Sequence, residues 1–245
     1  MQLSNNNLKK QNSFITIDKL FILQDGILIS HLKNNGKATL FVKKCIELCL
    51  NWNQYCKKTK TLSYTRDGTF GALFQETISS LVVAYRIVLW GTISDGFAVL
   101  RTVMEGLGFI NDIIDKGDFV DISIMIGRDK LKMGYIEKRY KNDKVLIKAI
   151  GKISDLAAHF TQTRIAERFF KIDDKIFARI AMAYHCDKNE LSKRLGYFLN
   201  TTMYAVMVLK EFLEKYYKGY LKKKFYKDYQ ELEKMYSELA KLLKV

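Results

Sequence analysis

Not one proline interrupts the 245 residues of this chain, so nothing in it forbids a helix of any length at any position. Apolar residues recur at three- and four-residue spacings almost throughout, with little strict alternation, and that is the periodicity of helices. The expected fold is all-α: an antiparallel helical bundle with a long basic C-terminal helix. Residues 13–33 and 37–61 read as two helices parted by "NNGK", and 70–90 and 93–115 as an apolar hairpin split at Gly91. Between them "SYTRDGT" (63–69) reads as the clearest loop, and "DKGD" (115–118) closes the hairpin. A mixed helix is expected over about 119–141. Two shorter helices broken near Lys171 to Asp174 follow, with strand an open alternative at the aromatic "RFFKI". From Leu191 to Lys244 the pattern is helical with one interruption around Gly219. The division that results is a frayed or disordered stretch at 1–12, a bundle over 13–215, and a basic helix over 216–245 packed on the bundle or projecting from it.

Composition sharpens the question of partners. With 48% hydrophobic and 27% charged residues the chain reads as folded. Its formal net charge of +15 makes a surface that repels itself unless an anionic partner neutralises it. Nucleic acid is the commonest such partner and an acidic membrane the next; a lysine-rich surface with no ligand is the alternative. The start, "MQLSNNNLKKQNSF", lacks the apolar core of a signal peptide, which points to the cytoplasm. The apolar run "ISSLVVAYRIVLW" (78–90) is shorter than the roughly 20 residues of a membrane crossing and contains Arg86, so it reads as a core helix, with no transmembrane segment expected. Cys45, Cys49, Cys56 and Cys186 read as buried thiols, since no further ligands stand at a zinc-finger spacing.

One apolar helix carries an unexpected pair. Arg101 and Glu105 lie four apart in "GFAVLRTVMEGLGFI" (96–110), on one face beside Ala98 and Gly108. A helix-stabilising pair prefers the glutamate first, and here the order is reversed. Two readings stand: a polar network that fixes helix register, or part of a site. The second polar cluster is "ISDLAAHFTQTR", with Ser154 as an expected N-cap and His159 at the edge of the apolar stripe. His159 reads either as a core histidine or, facing Glu105 or Arg101, as an oriented imidazole with a raised pKa.

The order "LRTVME" (100–105) followed some 50 residues on by "SDLAAH" (154–159) and a long apolar helix resembles a bacterial family of all-helical proteins of unassigned function. Arg101, Glu105, Ser154 and His159 match that family's pattern, and Phe160 stands where proline usually follows the histidine. The likeness covers roughly residues 70–215. That family is similar to the HEPN helical bundles, and the resemblance implies a metal-independent endoribonuclease of toxin–antitoxin or antiviral defence systems. The HEPN signature, an arginine four to six residues before a histidine, has one literal instance, Arg179 to His185 in "RIAMAYH". On a continuous helix these two would face about 120° apart, so they converge only if the helix ends near Tyr184 or across a dimer seam. The chemistry would have His185 take the proton from a ribose 2′-hydroxyl while Arg179 stabilises the charge on the attacked phosphate. The candidate catalytic set is therefore Arg101, Glu105, His159, Arg179 and His185.

The tail supplies a candidate binding set. Between residues 215 and 227 six lysines and no acid interleave with aromatic residues. Lys215, Lys218, Lys222, Lys223, Lys224 and Lys227 would neutralise phosphates, and Tyr216 and Tyr220 would offer stacking faces. A charged helix packing its tyrosines on the bundle explains the same pattern, and a basic helix on a membrane is a third reading. No glycine-rich phosphate loop, nucleophile elbow or "HExxH" occurs, and no glutamate stands three before His159 or His185, so no metal or cofactor is expected. Two functions follow: an RNA-engaging, HEPN-like ribonuclease, or a non-catalytic module binding nucleic acid or a protein through its basic surface. RNA or another polyanion is the expected partner, and the chain is expected to be a homodimer or part of a defence complex.

Overall fold

The computed structural model describes residues 17–57, 64–90, 93–122, 169–172, 175–178 and 188–243, with residues 151 and 153. These are almost entirely helical. Helices α1 (Ile17–Asn34), α2 (Gly36–Leu50), α3 (Tyr64–Leu89) and α4 (Ile93–Lys116) precede a small hairpin of β1 (Phe169–Ile172) and β2 (Lys175–Ala178). Helices α5 (Lys188–Tyr217) and α6 (Lys223–Leu243) complete the described chain. Short 3₁₀ turns follow α2 at Trp52–Tyr55 and α5 at Lys218–Tyr220.

Helices α3 and α4 pack closely, and two glycines permit it. A Cβ on Gly96 would collide with Val88 and stand 2.9 Å from the Ala84 carbonyl; one on Gly106 would stand 2.9 Å from the Thr77 hydroxyl. Because the later α4 residue meets the earlier α3 residue, the two helices run antiparallel. Gly117 ends the pair with φ +76°, a left-handed conformation that glycine adopts without steric cost. The other end of α3 is closed by α1, where His31 Nδ1–H donates to the Leu89 carbonyl at 2.8 Å. Helix α3 is long and apolar enough to cross a membrane by length and composition. In the fold Phe70, Phe74, Ile78, Leu81, Ala84 and Val88 on one side of it are buried in the core.

Aromatic rings gather where α3, α4 and α5 meet. Phe70 and Phe212 stack with centroids 3.6 Å apart, Phe74 lies 5.0 Å from Phe70, and Trp52 meets both Phe70 and Phe212 edge-on. Helix α6 packs across α2 and α5. Phe225, Tyr229, Leu232 and Leu239 recur at helical spacing and are all buried. Tyr236 adds a ring contact to Phe41 and a 2.7 Å hydrogen bond to Asn200. The tail thus lies on the bundle.

Three local expectations fail for identifiable reasons. "SYTRDGT" is not a loop: α3 begins at Tyr64, and Asp67 in its first turn suits the positive end of the helix while Arg66 holds the carboxylate through two bonds of 2.8 and 3.0 Å. Helix α2 stops at Leu50, well before residue 61: Asn51 leaves the helical conformation at φ −103°, ψ 20°, and its Nδ2 donates to the Glu47 carbonyl at 2.8 Å. The two short helices expected around Lys171 to Asp174 give way to the strand alternative: residues 169–172 and 175–178 pair as antiparallel strands, Phe170 opposite Phe177. Their aromatic and β-branched residues suit strands, and runs this short are too brief to establish a helical period.

Candidate functional site

On α4, Arg101 Nε donates to Glu105 Oε1 at 2.8 Å, with side chains 31% and 14% exposed. Leu100, Val103, Leu107 and Ile110 point to the core from the other side of the helix. Asp112, also 14% exposed and held by Lys116 at 2.7 Å, continues the line of Arg101 and Glu105 two turns on, so α4 carries a polar stripe opposite its apolar one. The pair is neither in the core nor in bulk water. Such a partly shielded ion pair gives little net stability, because desolvation offsets most of the attraction. Ser154, His159, Arg179 and His185 lie outside the described residues. Of the candidate catalytic set, the geometry therefore concerns Arg101 and Glu105.

The basic tail separates into two groups. Lys215 is engaged inside the fold: its Nζ donates to the carbonyls of Ile114 (2.6 Å) and Asp115 (2.9 Å), closing the negative end of α4. Tyr216 donates to the same Ile114 carbonyl, stands edge-on to Phe119, and carries the Arg66 guanidinium over its ring at 4.8 Å. Neither is placed as an open ligand contact. Lys224 pairs with Asp228 and lies 5.3 Å from the centre of the Tyr55 ring. The remaining lysines behave differently. Lys218, Lys223 and Lys227 are exposed and form no ion pair among the described residues, and Lys222 reaches only the Gln54 carbonyl at 2.5 Å. Tyr220 is 41% exposed.

What holds these lysines in place is a contact between chain segments some 165 residues apart. The stretches after α2 and after α5 join through a bridge between buried Cys56 and buried Leu221. Lys57 N–H donates to the Tyr220 carbonyl at 2.8 Å, and Lys222 N–H to the Tyr55 carbonyl at 2.9 Å. This brings the exposed Lys57 into the basic group. The result is a pinned elbow in which neither 52–57 nor 215–227 contains an acid. It sits at the start of α6, whose first turn has no acid and whose positive end carries Lys222, Lys223 and Lys224 in succession. Each such lysine costs roughly 0.3–1 kcal/mol against the helix dipole. A bound anion would relieve that cost.

The part sequence reading missed is Lys57 and the groups behind it. Tyr55 donates to Asp228 at 2.8 Å. Burial alone would raise the Asp228 carboxyl, but hydrogen bonds from Lys224 and Tyr55 outweigh it and hold the group below the usual carboxylate range. The Tyr55 hydroxyl is pushed up by burial and by its bond to Asp228. Only the lysine run that begins at Lys57 hinted at this segment; its partner across the chain was not legible. Cys45 and Cys49 are buried thiols raised by desolvation, and Cys56 is buried as well. Among the described residues no three His, Cys, Asp or Glu side chains converge on a metal position.

Comparison of the chain with protein-family models, with curated proteins and with solved structures finds no match, so the functional reading rests on the elbow and the stripe themselves.

Proposed function

We propose that this chain engages RNA, or a polyanion of the same phosphate chemistry, through the elbow formed by residues 52–57 and 218–227. The observation that carries the reading is the group Lys57, Lys218, Lys223 and Lys227: exposed ammoniums around a pinned turn that form no ion pair among the described residues, the adjoining acid, Asp228, being bonded to Lys224 and Tyr55 and only partly offsetting Lys227. Repulsion among them and with the start of α6 opposes folding, whereas a phosphate backbone would turn each into a favourable contact. Lys222 and Tyr220 flank the same surface. The test is fluorescence anisotropy with labelled RNA. Micromolar or tighter binding at low salt, lost on adding polyphosphate, agrees with the proposal; no binding at any salt contradicts it.

Cleavage is a second and separable proposal, favoured by the shielded Arg101–Glu105 pair, whose reversed order and small stabilising value leave its presence unexplained by helix stability. In that reading the chain is a cytoplasmic, metal-independent ribonuclease of the HEPN-like kind acting in stress or phage defence. His159 or His185 serves as the base, and Arg101 or Arg179 as the charge stabiliser. It predicts RNA degradation in EDTA that His159→Ala or His185→Ala abolishes while the circular dichroism stays native. Binding that survives both substitutions with no cleavage at all leaves a non-catalytic binding module.

A further inference from the structure

Beside the elbow, between the end of α2, the Trp52–Tyr55 turn and the start of α6, lies a cleft of about 480 Å³, within the roughly 300–1,000 Å³ of small-molecule sites. Buried Leu48 and Leu232 line its apolar part. Its polar lining is unlike the elbow outside. Three carboxylates, Glu47, Asp228 and Glu231, face two ammoniums, and both of these are engaged, Lys44 with Glu231 and Lys224 with Asp228. The lining is therefore acidic by one charge, three carboxylates against two ammoniums. Lys43, 3.7 Å from Glu47, offsets that excess, so the cleft offers a phosphate no unengaged ammonium, whereas the elbow a few residues away does.

Those two demands suit one kind of ligand, a strand whose charge lies on its backbone and whose bases are neutral. We propose that the cleft seats an unpaired nucleobase of a single strand whose phosphates run along the elbow; this rests on the polyanion reading above and adds to it the class of nucleic acid. A duplex keeps its pairing edges internal and cannot offer one. The cleft carries groups able to read such an edge. Asn51 Nδ2 donates to the Glu47 carbonyl at 2.8 Å, and Gln54 Nε2 donates to Asn51 Oδ1 at 3.0 Å. That relay orients the Gln54 amide, whose oxygen and second N–H have no partner among the described residues. The Glu47 carboxylate has only an exposed 3.7 Å contact with Lys43. Acceptors outnumber donors, so a base with an exocyclic amino group, such as cytosine, is favoured over uracil. The bond from Lys222 Nζ to the Gln54 carbonyl ties the rim of the cleft to the elbow, which puts a base in the cleft next to a phosphate on the lysines.

The experiment is anisotropy on the full chain with short oligo(C), short oligo(U), an RNA duplex of equal length, and polyphosphate as a backbone-only competitor. Oligo(C) is expected to bind about tenfold more tightly than either oligo(U) or the duplex. Asn51→Ala, which releases the Gln54 amide, and Glu47→Ala, both at exposed side chains outside the elbow, are expected to erase that preference without weakening the polyphosphate complex. Equal binding of all three RNAs, or a preference that survives both substitutions, overturns the cleft proposal while polyphosphate binding leaves the elbow standing. Absence of polyphosphate binding removes both.

Discussion

Two places in this molecule carry charge where stability does not ask for it, and they resolve the problem in opposite ways. On α4, Arg101 and Glu105 neutralise each other at 2.8 Å, half-shielded along a polar stripe. At the elbow, Lys57, Lys218 and Lys223 form no ion pair among the described residues, and the adjoining acid, Asp228, is bonded to Lys224 and also feels the charge of Lys227. A compensated pair can persist for packing register alone. An uncompensated cluster at the positive end of a helix works against the fold until something outside the chain completes it. The contrast separates a charge pair balanced within one helix from a cluster that calls for a ligand, and it can be broken experimentally at either end.

The largest effect is expected where the elbow depends on the core. Phe225, fully buried in the first turn of α6, anchors that helix against Tyr55 at 5.6 Å. Phe225→Ala should cost about 3–5 kcal/mol in urea unfolding and should weaken polyanion binding by releasing the elbow. A stable variant with intact binding would show that the elbow is not held by the core. The α4 pair should respond more mildly. Glu105→Ala leaves Arg101 partly shielded and should cost about 1 kcal/mol, whereas Arg101→Leu with Glu105→Leu should be neutral or stabilising in the same assay. If the double variant is as destabilised as the single one, the pair is more than self-compensating. Smaller still, Lys223→Glu should raise stability by about 0.5 kcal/mol while lowering affinity for polyphosphate, a sign reversal that a purely structural lysine would not give.

The smallest effect is a pH dependence. The folded carboxyl of Asp228 is held below its unfolded value of about 3.9. Its contribution to stability is therefore complete above that value and is lost as pH falls through the lower folded pKa. Unfolding of the wild type and of Asp228→Asn should differ near neutral pH and converge in acid. A difference that grows on acidification would contradict the assignment.

The helices were legible because their periodicity is local. The α3–α4 hairpin, its Gly117 stop and the break after Tyr217 all stand close to where spacing and glycine placed them. "SYTRDGT" misled because Asp, Gly and Thr are turn residues by composition, whereas what makes Tyr64–Thr69 helical includes Arg66 lying over Tyr216 and Tyr217, some 150 residues away. The tail shows the same limit at a site. Its lysines could be counted, and the i, i+4 spacing of Lys224 and Asp228 is local, but the capture of Lys215 by the end of α4 and the approach of Lys224 to Tyr55 are not. Lys57 entered the group only through the Cys56–Leu221 bridge. Charge is written in the sequence, but its compensation is written in tertiary contacts.

The account turns on whether the elbow's lysines meet phosphates. The most direct measurement is the salt dependence of RNA affinity for the wild type and for a variant with Lys57, Lys218, Lys223 and Lys227 all replaced by alanine. Each single-strand phosphate contact contributes about 0.7 to the slope of log affinity against log salt, so the variant's slope should be shallower by about 3, with its melting temperature preserved or raised. Equal slopes for the two proteins would contradict the account.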